Sequence, residues 1–179
     1  MDITHDLNSH RSSAAVCSGF IALIPNVLLL QLADVVGLAT AHGGLLALMR
    51  IPAAYLAGVI GLDGFWSGSV QPWTQSPSFQ LGFHVFVAIG MAVFYVVFLE
   101  RRLRMSPLFK GLLYGAAVWL LNALFVLPET GEGFIGLKHI NAVGAIWFAV
   151  AHFAFFVTLA CAFSSIIKSR IFRQPTGSK

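Results

Sequence analysis

Four long apolar runs alternate with polar breaks along the chain: residues 13–33, 80–99, 109–127 and 141–165. Each is close to the roughly 20 residues that a helix needs to cross a hydrocarbon core of about 30 Å, so each predicts a membrane-spanning helix. Residues 34–79 are apolar only in patches. Asp34, His42-Gly43-Gly44, Arg50-Ile51-Pro52, Asp63-Gly64 and a Ser/Pro/Trp stretch interrupt them. That pattern predicts, over 35–62, an amphipathic or re-entrant segment outside the cytoplasm, built of one or two short helices. Trp66, Pro72, Trp73 and Pro77 then suit a loop at headgroup level leading into the second span.

Composition sharpens this reading. The chain of 179 residues is 58% hydrophobic and 10% charged, with mean hydropathy +0.82. Soluble domains carry about 25% charged residues, so an ordinary soluble domain is excluded. The expectation is an all-α, polytopic membrane protein: one integral membrane domain over 1–179, folded as a four-helix transmembrane bundle. The polar start, MDITHDLNSHRS, lacks the basic region of a cleaved signal, and the first apolar run is long enough for an uncleaved anchor. The end, RQPTGSK, reads as a short polar tail.

The net charge of +4 does not indicate nucleic acid, because the basic residues flank apolar runs instead of forming a patch with stacking aromatics. With four spans, Arg11, Arg101, Arg102, Arg104, Lys110, Lys168, Arg170, Arg173 and Lys179 share one side, and only Arg50 and Lys138 fall on the other. Short cytoplasmic loops carry the excess of Lys and Arg, which puts both termini in the cytoplasm. A fifth span would move one basic cluster outside. Cys17 and Cys161 lie within apolar runs and read as small hydrophobes.

Polar groups inside a span are expensive and draw attention for that reason. Asn26, Asn122 and His152 fall near the middle of the first, third and fourth spans, and a midplane polar cluster would satisfy all three. Interhelical hydrogen bonding is the plainer reading; a proton relay or ligand pocket is the other. Pro25 precedes Asn26 and is expected to kink the helix and release a carbonyl towards the cluster. A second set, His84, His139, Glu129 and Glu132, gathers at the outer face as a metal or proton site, since imidazole and carboxylate suit zinc or copper. Their spacing is irregular.

The 13 residues from His139 to His152 echo the histidine spacing of cytochrome-b helices. Bis-histidine haem ligation needs partners at matching depth on facing helices. From the sequence only His84 and His139 share a depth, so no cofactor is expected. Gly111 and Gly115 form a small-xxx-small pair that permits close helix approach, within the monomer or between copies.

Residues 80–165 also carry a family likeness. A His near the start of the second span is followed by a basic turn, then Gly111 to Trp119 (GLLYGAAVW), Leu127-Pro128, a Gly-rich loop from Gly131 to Gly136, and Ala151-His152-Phe153. This order resembles small bacterial four-span inner-membrane proteins of unknown function, including the YagU-like group. The resemblance implies a bacterial inner membrane and at most a loose link to acid tolerance; it supplies no catalytic residue. Glu129 and Glu132 depart from the apolar or glycine residues expected there.

No strong catalytic motif is present, and the chain is expected not to be an enzyme. Three classes stay open: a non-enzymatic accessory or structural membrane protein, a small transporter or proton-linked acid-response protein using the midplane cluster, and a haem- or metal-binding redox subunit. The expected partners are the lipid bilayer and either a second copy or another membrane subunit, with no nucleic acid.

Overall fold

The computed structural model describes residues 3–40 and 44–173, with side chains over 10–40 and 44–169. The His42-Gly43 break and the tail 174–179 lie outside the described residues. Every regular element described is helical. Helix α1 is Ile3–Val35 and α2 is Gly44–Val59. α3 joins Asp63–Phe65, a π turn at Trp66–Val70 and Gln71–Thr74. α4 is Pro77–Leu99 and α5 is Pro107–Glu129, each with a five-residue π segment, Tyr95–Leu99 and Asn122–Val126. A short turn at Phe134–Gly136 leads to α6, Ala142–Arg173.

Four helices are long and apolar enough to cross a membrane: His10–Val35, Pro77–Leu99, Pro107–Glu129 and Ala142–Ser169. α2 is apolar but has only 16 residues, about 24 Å of helix, too short to span. The starts of α4 and α5 follow one local rule. Ser76 and Ser106 accept hydrogen bonds from the Phe79 and Phe109 backbone N–H groups, and Pro77 and Pro107 occupy the first turn, where a missing N–H costs nothing.

α1 remains one α-helix through Pro25. One sequence expectation is corrected here. The Trp66 to Trp73 stretch is helical, not a loop; Pro72 sits in the first turn of Gln71–Thr74, the position a helix tolerates best.

Spatial order differs from chain order. α1 packs along α6, α4 lies on α1, and α5 lies on α6, while α4 and α5 have little packing against each other. Small residues permit the close crossings. A Cβ on Gly19 would sit 3.2 Å from that of Ala92, and a Cβ on Gly111 would sit 2.6 Å from the Val157 Cα. The face holding Gly111 and Gly115 therefore points at α6 within the monomer.

One half of the bundle is solid. Tyr95, Tyr114, Phe156 and Phe163 are buried there with Ala15, Ala22, Ala92 and Leu159. Their rings meet tilted, stacked and edge-on: Tyr114 to Phe156 at 4.3 Å, Tyr95 to Phe163 at 6.0 Å. Arg11 lies 5.9 Å over the Phe163 ring and Lys110 pairs with Glu100, which marks this as the basic end. At the other end α2 begins against Val126 and Leu127, then leaves much of its apolar face, including Tyr55, Leu56 and Val59, exposed.

Candidate functional site

The bundle hollows out beyond the aromatic cluster. A cavity of about 250 Å³ lies among α1, α2, α4, α5 and α6, and Asn26, His84, Asn122 and His152 all line it. At a rise of about 1.5 Å per residue, His84 and Asn122 lie roughly 10 Å, and Asn26 and His152 roughly 15 Å, from the helix ends opposite the basic end. Met91, Val118, Phe148 and Phe155 supply apolar walls.

Asn26 joins three helices. Its Nδ2 donates to the Ala151 carbonyl of α6 at 2.9 Å, and its Oδ1 is 2.9 Å from Nε2 of His84 on α4. A carbonyl can only accept, so the Ala151 bond fixes which way the amide faces. Oδ1 must then accept from His84, which places the imidazole proton on Nε2 and leaves Nδ1 as a lone pair. Asn26 is 5% exposed, and a buried amide deprived of these partners would be costly.

His152 follows the same logic on its own helix. Its Nδ1 lies 2.9 Å from the Phe148 carbonyl one turn earlier and must donate, leaving Nε2 as the acceptor. Phe148 also packs edge-on against the ring at 4.4 Å, fixing its orientation. Asn122 donates from Nδ2 to its own Val118 carbonyl at 3.0 Å, so its Oδ1 is uncommitted. Among the described residues, the sole buried side-chain nitrogen or oxygen without a partner is Arg11 Nε. Nδ1 of His84 and Nε2 of His152 are therefore not sealed in protein, and both residues line the cavity.

The structure thus brings Asn26, Asn122 and His152 to one cavity without hydrogen-bonding them to one another. It also corrects the outer-face set. His84 belongs to the intramembrane cavity, because its ring faces α1, where Asn26 offers an acceptor. His139 instead pairs with Glu132 at 2.9 Å on the exposed loop, and no group of three or more His, Cys, Asp or Glu able to hold a metal occurs among the described residues. The sequence argument that His152 lacks a histidine near its depth fails for the same reason, since His84 and His152 line one cavity.

Sequence reading missed a second polar group at the basic end. Glu100 Oε2 accepts from Lys110 Nζ at 2.8 Å and from the Tyr95 hydroxyl at 2.6 Å. The available signal is the pair of charges, Glu100 and Lys110, that flank the Arg101-Arg102 turn.

Fold and site together define a polytopic helical membrane protein with a polar-lined cavity inside its bundle. No family model matches the chain, and neither a curated protein nor a solved structure matches it.

Proposed function

We propose that this chain is a non-enzymatic, multi-pass membrane protein that holds a small lipophilic ligand inside its bundle. One observation carries the reading: two imidazoles, each fixed by a hydrogen bond through one nitrogen and holding the other unbonded, line a shared cavity of about 250 Å³. Side chains that served only as interhelical struts would spend their polar atoms on neighbouring helices. An engineered apolar cavity of about 150 Å³ accepts benzene, so this one has room for a substituted single ring.

The basic end, with Arg101, Arg102, Arg104 and Lys110, supports a bacterial inner-membrane setting with both termini in the cytoplasm. A proton-linked role is the second reading, favoured by two titratable rings on one cavity wall. Extraction of small molecules from protein purified out of its own membranes tests the first reading. A stoichiometric lipophilic compound is expected, lost in Val87→Phe, which fills the cavity. Absence of any such compound, together with no stabilisation by added lipophilic rings, would overturn it.

A further inference from the structure

The two imidazoles that line the cavity have a one-sided chemistry. The Ala151 carbonyl commits Asn26 so that His84 donates to it, and the Phe148 carbonyl takes the proton of His152. Each imidazole therefore offers the cavity a lone pair and no N–H. Asn122 adds an uncommitted carbonyl oxygen and the second N–H of an amide whose first goes to Val118, and the Gln80 amide also lines the space. No Lys, Arg, Asp or Glu lines the space.

Two consequences follow for what fits. An anion finds no positive group to replace its hydration and is rejected by desolvation. A neutral molecule that only accepts hydrogen bonds leaves both imidazoles unsatisfied. A hydroxyl donor satisfies them. The rest of the wall is apolar, with the rings of Phe83, Phe148, Phe155 and Phe156 suited to tilted or offset contacts with another aromatic ring. The cavity is bounded by α4, α5 and the start of α2 as well as by α1 and α6.

From these features, and resting on the ligand-holding reading above, we infer that the cavity binds a lipophilic phenol or hydroquinone, whose hydroxyls donate to Nδ1 of His84 and Nε2 of His152. Ring size agrees with the cavity volume, and a neutral aromatic diol partitions into the bilayer from which α4 and α5 are reached.

The test uses the full-length protein in lipid nanodiscs, with trimethylhydroquinone and its dimethyl ether as probes. The two share a ring and differ in whether oxygen can donate. The hydroquinone should bind at least about tenfold more tightly than the diether, the factor expected for one lost hydrogen bond. His152→Phe should reduce that preference, and Val87→Phe should abolish binding of both. If the diether binds equally well and Val87→Phe still blocks it, the donor preference is wrong while the cavity remains a ligand site. If neither probe binds, or Val87→Phe changes nothing, the inference and the ligand-holding reading both fall. The wild-type comparison of the two probes stands even if His152→Phe does not fold.

Discussion

Lys110 and Glu100 form an ion pair of 2.8 Å that joins the start of α5 to the end of α4. The side chains are 8% and 22% exposed, and the Tyr95 hydroxyl donates to the same carboxylate oxygen. This group and Tyr114, whose hydroxyl reaches the Met91 carbonyl at 3.3 Å and whose ring stacks on Phe94 and Tyr95, tie together two helices whose backbones make little contact. Breaking a buried pair leaves one charge uncompensated, at a cost of about 3–5 kcal/mol when burial is complete. Lys110→Met should therefore destabilise the protein by about 2–4 kcal/mol, read from thermal melting in detergent. Lys110→Met with Glu100→Gln should recover part of that loss, and a double variant as unstable as the sum of the singles would contradict the pairing.

The crossing of α5 and α6 predicts an order of sensitivity. A Cβ on Gly111 would meet the backbone of Phe156 and Val157, whereas one on Gly115 would meet the Phe153 ring at 3.0 Å. Backbone cannot give way cheaply; a ring can turn. Gly111→Ala should cost about 1–3 kcal/mol and Gly115→Ala less. Melting curves of the two variants check this, and the reverse order would mean that the face does not meet α6 as described.

Asn26 satisfies both His84 and the Ala151 carbonyl, so its removal orphans a donor on α4. Asn26→Leu should destabilise by about 1–3 kcal/mol, and adding His84→Phe should restore part of the loss by removing the orphan. Thermal stability of the single and double variants decides it. Full additivity would show that the two side chains do not interact.

Topology gives a fourth expectation, independent of the cavity. In a background without Cys17 and Cys161, a cysteine replacing Thr130 should react with an impermeant thiol reagent in intact cells, and one replacing Ser106 should not. Labelling of Ser106→Cys from outside would reverse the proposed orientation.

Hydropathy exposed the four spans because twenty successive apolar residues have few alternatives to a membrane helix. It was silent about helix rotation, and that silence misplaced His84. Its seven-residue distance from Pro77 gives a depth, but whether the ring faces solvent, lipid or α1 depends on how α4 turns against Gly19 and Ala22. Asn26 was noticed because a polar amide inside an apolar run is conspicuous. The Tyr95–Glu100–Lys110 group was not, because charges beside a basic turn look ordinary in sequence. The π segments at Tyr95–Leu99 and Asn122–Val126 leave no distinctive mark, since they arise from how one long helix adjusts to its neighbours.

The order α4, α1, α6, α5 gives the molecule the mechanics of a book. α1 and α6 are the spine; α4 and α5 are covers, each bound to its own side of the spine and fastened to the other cover by a clasp of Glu100 with Lys110 and of Tyr114 with Met91, Phe94 and Tyr95. Parting the covers at the hollow end leaves both the spine and the clasp intact. At the hollow end one cover stays pinned to the spine through His84 and Asn26, and the start of α2 shares the wall, so admitting a guest draws on those few contacts while the clasp stays closed.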